Sequence, residues 1–81
     1  MRVYKFSVVI ERDTDGYYAF CPELQSCYTQ GGTYEEVSEN IKDAIRLHIE
    51  DRLETGEEIP QAESVSLTMM EVSVWVKNSR E

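Results

Sequence analysis

From Val3 to Glu11 the apolar side chains of Tyr4, Phe6, Val8 and Ile10 fall on alternate positions, the period of a strand with one buried face. Asp13-Thr14-Asp15-Gly16 follows; its Asp-Gly pair tolerates positive φ, and Tyr17 to Cys21 resumes β-prone residues, so the two stretches predict a hairpin. Pro22 lacks an amide donor and closes the second strand. The run Ser26-Cys27-Tyr28-Thr29-Gln30 then predicts a short third strand ahead of Gly31-Gly32.

At Thr33 the period changes. Thr33 stands three residues before Glu36, the spacing of a capping box in which the hydroxyl takes the Glu36 amide and the Glu36 carboxylate returns to the Thr33 amide. Tyr34, Val37, Ile41, Ala44, Ile45 and His48 share one face, whereas Glu35, Glu39, Lys42, Asp43, Arg46 and Glu50 lie largely elsewhere, which is the signature of an amphipathic helix. Gly56 suits the position just past its C-terminus and Pro60 prevents resumption, so the helix is expected from about Tyr34 to Thr55. Ser64 to Val76 is rich in β-branched and alternating apolar residues and predicts a final strand; the apolar parity changes between Met69 and Met70, as a one-residue bulge or a bend would cause. The expected order is βββαβ: an α+β domain with an antiparallel-led sheet and one long helix packed on one of its faces. Residues 1–81 form a single domain on this reading, with an ordered core over about 3–76.

Length and charge narrow what such a domain does. A chain of 81 residues buries only about 60 to 65 % of its unfolded surface, so its core is modest and oligomerisation is an expected source of stability. A homo-oligomer, dimer or tetramer, is expected through edge-strand pairing that buries Val72, Val74 and Trp75. Sixteen Asp and Glu against eight Lys and Arg give a net charge of −8, which disfavours direct nucleic-acid binding and favours a basic protein partner. No run of apolar residues is long enough to span a bilayer and the N-terminus lacks a signal-peptide pattern, so a cytoplasmic protein without membrane attachment is expected. In that setting Cys21 and Cys27 are expected as reduced thiols.

Candidate chemistry is sparse. Asp13 and Asp15 suggest metal ligands or an acid–base pair, but their place in a hairpin turn favours backbone capping. His48, the one histidine, is the only candidate general base, and its place on the apolar helix face favours packing. Two cysteines and one histidine fall short of a structural zinc site. Gly31-Gly32 before a helix suggests an anion-binding loop, yet the fuller phosphate fingerprints are missing and a tight strand-to-helix turn is the stronger reading. The five tyrosines and Trp75 suit core, sheet-face and interface packing better than base stacking, since the charge has the wrong sign for RNA. No catalytic residue, metal or cofactor is therefore expected.

One ordered string is more specific than these pieces: Asp15-Gly16-Tyr17-Tyr18-Ala19, Cys21-Pro22-Glu23-Leu24, Cys27 through Glu36, then Asn40 and Ala44-Ile45. It resembles the HicB antitoxin family without gaps from Asp15 to Ile45, and more loosely from Val3 to Pro60. Gln25-Ser26 departs from the Pro-Gly common in that family, suggesting a differently shaped turn before Cys27, and Val37 replaces a common Ala. The resemblance implies a partial ribonuclease-H-like βββαβ fold without the nuclease site, which binds and blocks HicA, a small basic mRNA-cleaving toxin. Many family members also carry a C-terminal DNA-binding domain; this chain stops about five residues past its last predicted strand, so none is expected within it. Inhibition would proceed by occlusion of the toxin's RNA-binding and catalytic face. The positions expected to meet the toxin are Tyr28 and Gln30 on the third strand and Glu35, Glu36, Glu39 and Asp43 on the helix. Two rivals stand beside this reading: a solitary oligomeric scaffold or regulatory module with no toxin, and a residual Mg²⁺-dependent nuclease, which the shortage of carboxylates on the strands disfavours.

Overall fold

The computed structural model describes residues 2–61 and 66–77. Strands β1 (Val9–Asp13), β2 (Gly16–Phe20) and β3 (Tyr28–Gly31) form an antiparallel sheet in the order β1-β2-β3, and helix α1 (Tyr34–Thr55) follows. The architecture is α+β, a three-stranded sheet covered on one face by one long helix. Val9 lies opposite Phe20 and Asp13 opposite Gly16, so the first hairpin closes on Thr14-Asp15 as its Asp-Gly sequence predicts. Tyr17 lies opposite Gly31 and Phe20 opposite Tyr28 in the second pair.

Three expected boundaries change. The first strand begins at Val9, not near Val3. Val9 already faces Phe20, the last residue of β2; beyond it the chain enters the Pro22 loop, and residues before Val9 have no ladder to join. The third strand begins at Tyr28 because Ser26 and Cys27 belong to a tight loop: Cys27 N donates to Leu24 O at 3.3 Å and Cys21 N to Cys27 O at 3.0 Å. Ser26 adopts φ 65 there, a left-handed conformation that costs a residue with a Cβ about 1–2 kcal/mol. The expected final strand, Ser64 to Val76, does not appear among its described residues. Residues 62–65 lie outside the described residues, and 66–77 form neither helix nor strand and are exposed throughout. An alternating pattern fits a pleated surface but does not itself supply a hydrogen-bonding neighbour.

The helix, by contrast, matches its expected span. Thr33 Oγ1 accepts from Glu36 N at 3.0 Å, and the Glu36 carboxylate accepts from the Gly32 amide, one residue earlier than a standard capping box. At the other end Gly56 adopts φ 80 and the last carbonyls receive the amides of Gly56 and Glu57.

Between helix and sheet lies the core: Ala19 from β2, Cys21, Leu24 and Cys27 from the following loop, and Val37 and Ile41 from α1, with Phe6, Ile10, Tyr17, Ala44 and Ile45 packed around them. Two of these positions set the helix-to-sheet distance. Ala19 presents only a methyl beneath the helix and is fully buried. Gly31 presents nothing, and a Cβ there would lie 2.7 Å from Val37 N and 2.9 Å from Val37 Cα. Both are backbone atoms, so the helix itself would have to move. Gly31→Ala is therefore expected to destabilise the fold by about 1–3 kcal/mol in urea titration; a change below about 0.5 kcal/mol would show that the helix has room to retreat.

Candidate functional site

Because Val37 and Ile41 are buried against the sheet, residues half a turn away look outward. Glu35, Glu39 and Asp43 occupy that solvent side and are exposed, together with Arg46. Asp43 Oδ1 accepts from Arg46 Nη1 at 2.7 Å, an exposed pair that adds little stability but locally offsets the acidic stripe. Glu36 is committed to the helix cap through both its amide and its carboxylate. Glu35 and Glu39 make no ion pair among the described residues and are the more available carboxylates.

Tyr28 and Gln30 lie on the opposite side of the domain. The strand register aligns Val9, Phe20 and Tyr28 across the sheet, and Glu11, Tyr18 and Gln30 beside them; alternation places all six on the face away from the buried Ala19. Three rings cluster there, with centroids 6.0 Å apart for Tyr18 and Phe20 and 6.2 Å for Tyr18 and Tyr28. Tyr28 remains 60 % exposed. No cation shares those six positions: Arg12, the strands' one basic residue, alternates to the other face and sits 5.9 Å from the Tyr17 ring centroid. The patch thus lacks the positive groove that accompanies base-stacking aromatics. The sheet and helix separate the six expected contact residues into two surfaces, one acidic and one aromatic.

Gly31-Gly32 and the hairpin turn border a cavity of about 490 Å³ that also touches Asp13, Asp15 and Tyr17. It is no anion cradle, since the Gly32 amide already serves Glu36 and two aspartates line it. Asp13 Oδ1 accepts from the Asp15 amide at 2.8 Å, the backbone-capping role expected of this turn. Among the described residues no group of three His, Cys, Asp or Glu side chains is placed to hold a metal ion.

No pattern along the chain signals the contact that fastens the N-terminal segment. The Glu23 carboxylate accepts from Ser7 N at 3.1 Å, Ser7 Oγ at 3.0 Å and Cys21 Sγ at 3.5 Å. Partial burial acts to raise the Glu23 carboxyl, but these donors, led by the Ser7 hydroxyl, outweigh it and hold the group below its ordinary value. Cys21 and Cys27 are free and buried. Burial pushes the Cys21 thiol up to about 11, with the nearby Glu23 charge adding to the effect, and burial raises Cys27 in the same direction. Both are protonated packing groups at neutral pH. His48 is half-buried on α1 and makes no hydrogen bond to Cys27 among the described residues, so the two do not form a dyad.

The aromatic patch was also missed, though it had a signal: Tyr18 and Phe20 alternate with Tyr17 and Ala19, so one strand carries large rings on the face that the helix does not cover. A second uncovered surface is the flank of α1 beside β1, where Ile45, Ile49 and Leu53 meet Val3, Tyr4 and Phe6 around a groove of about 660 Å³.

The family model for a HicB-like antitoxin of bacterial toxin–antitoxin systems matches residues 6–76. A UPF0150 protein of Synechocystis is 38 % identical over 65 residues, covering 79 % of this chain and 82 % of the relative. A UPF0150 protein of Thermoplasma acidophilum is 42 % identical over 66 residues, covering 80 % and 96 % respectively. No solved structure matches this chain significantly.

Two measurements test the local chemistry. Glu23→Gln is expected to cost about 1 kcal/mol at pH 7. Because the folded carboxyl is held below its ordinary 4.5, its contribution is complete above that pH and is lost as pH falls through the lower folded value. The gap between wild type and variant should therefore close in acid; a gap constant with pH would exclude the charge-assisted clamp. At pH 7.5 native Cys21 should carry about a hundredfold less thiolate than a cysteine at the ordinary 9.0. Rapid alkylation of both thiols in the folded chain would contradict that burial.

Proposed function

This chain belongs to the HicB-like antitoxin family of bacterial toxin–antitoxin systems, and on that premise we propose that it neutralises a small basic HicA-type toxin by covering the toxin's RNA-binding and catalytic face. The family match across residues 6–76 carries the reading. The net charge of −8 supports it, because a cationic RNA-binding surface and an acidic antitoxin attract each other over about a Debye length before they touch. Occlusion asks for no catalytic group on this chain; it asks for a surface complementary in charge and shape. Its role is then regulatory and non-enzymatic.

The solvent side of α1, with Glu35 and Glu39 free and Asp43 beside Arg46, is the surface best suited to steer a basic partner. Once the partner is in contact, Arg46 is available to exchange Asp43 for a toxin carboxylate, and Asp43 to accept a toxin cation. The sheet face offers a different contact, in which Tyr28 supplies a large, half-rigid ring and Gln30 a polar neighbour. These two surfaces point in opposite directions, so substitutions on each report separately.

The test begins with the small basic protein encoded beside this chain, co-expressed and purified through a tag on either partner. A stable complex and suppression of toxin RNA cleavage are expected. The double variant Glu35→Lys, Glu39→Lys should weaken binding by about tenfold or more at low salt, chiefly through slower association, and the loss should shrink as salt rises. Tyr28→Ala reports on the sheet face in the same assay. No complex with the encoded neighbour, or no such neighbour, would overturn the proposal in favour of a solitary regulatory module.

A further inference from the structure

Residues 66–77 form an apolar arm that covers nothing. Leu67, Met69, Met70, Val72, Val74 and Trp75 are each at least 75 % exposed, and Trp75 is fully so. The described molecule extends 58 Å along its longest axis, with a radius of gyration of 17.0 Å, against about 12 Å for a compact chain of this length. The same molecule carries an apolar groove that none of the described residues fills. Among the described residues β1 pairs only with β2, which leaves its other edge without a neighbouring strand there. Beside that edge, Val8, Ile10, Ile41 and Ile45 line one hollow of about 340 Å³, continuous through Ile45 with the larger one bordered by Phe6, Ile49 and Leu53.

We infer that two copies of this chain complete each other by exchanging arms, each arm lying along the open β1 edge of the partner and filling the groove between that edge and α1. The dimensions agree. Met70, Val72, Val74 and Val76 alternate along the arm and span about 20 Å in extended conformation, enough to run the length of the five-residue β1 and on along the groove beside it. Charge agrees as well. Within 66–77 the ionisable residues are Glu71 and Lys77, so the arm is neutral and approaches a second acidic body without the repulsion that would separate two copies elsewhere. A stable dimer buries about 1,200–2,000 Å² in all, and seating both exposed twelve-residue arms draws on the largest apolar surface that the described residues leave uncovered. Exchange is reciprocal, so the assembly closes at two copies and leaves no arm or groove to propagate. It also supplies the fourth strand, in trans, that the chain's pattern anticipates. This inference is independent of any toxin.

Sedimentation of the full-length chain at about 10–50 μM, with Trp75 fluorescence recorded in parallel, tests it. A species of twice the 9.4 kDa chain mass is expected, with blue-shifted Trp75 emission that moves red as dilution yields monomers. Val72→Glu with Val74→Glu in the arm, and Leu53→Glu in the groove, should each give monomers with red-shifted emission and unchanged helical circular dichroism. Leu53 is half-exposed, so the groove variant leaves the core intact. A wild-type monomer overturns the inference, and blue-shifted emission in that monomer would mean that the arm docks on its own body. A dimer that survives either the arm or the groove variant overturns it too.

Discussion

Helix α1 lies where it does because β3 ends in a residue without a side chain. At Gly31 the sheet backbone and the first helical turn come so close that a methyl group would meet Val37 N at 2.7 Å. That approach lets Val37 and Ile41 reach the fully buried Ala19 and close the core. It also carries the chain directly from the sheet edge into the helix cap, where Glu36 holds the Gly32 amide. The cap and the close approach are thus one construction: lengthening either the turn or the side chain at 31 would lift the helix off the sheet and turn its acidic stripe away from its present direction.

The loop that follows β2 is the second anchor, built from groups with little charge of their own. Leu24 is tucked under by hydrogen bonds among Cys21, Leu24 and Cys27, and the two thiols fill the space beside it as protonated packing groups. One carboxylate, Glu23, then ties this loop to Ser7, sixteen residues earlier. That tie holds the N-terminal segment where no strand pairing is available, and so keeps Phe6 against the core and Tyr4 along the groove.

What the chain discloses of its own fold follows how local each interaction is. Helix α1 is legible to the residue because both ends are written within four positions, by Thr33 with Glu36 and by Gly56. The first hairpin is legible for the same reason, through Asp15-Gly16. The start of β1 is not, because it depends on where β2 stops, and Ser64 to Val76 reads as a strand although pattern alone cannot name its neighbour. The surfaces divide similarly. The exposure of Glu35, Glu39 and Asp43 follows from helical period, but the engagement of Glu36 in the cap and of Asp43 with Arg46 is fixed by rotamers. The Tyr18, Phe20 and Tyr28 cluster needs the register of three strands, and the Glu23 clamp needs the tertiary path.

Two kinds of association are physically separable on so small a molecule. The acidic side of α1 acts at a distance, and its attraction for a basic partner falls as salt screens it. The arm is neutral, and its seating in an apolar groove depends on buried area, which salt does not weaken and excluded salts strengthen. The two surfaces adjoin at Arg46, which borders the groove, but are otherwise apart: the stripe of Glu35 and Glu39 faces away from the sheet, whereas the groove follows the flank of α1 beside β1. A toxin held at Glu35 and Glu39, as proposed, would therefore not require vacating the groove. A dimer joined through its arms would carry two acidic helix faces and twice the charge, so self-association strengthens the field that draws a cationic partner instead of competing with it.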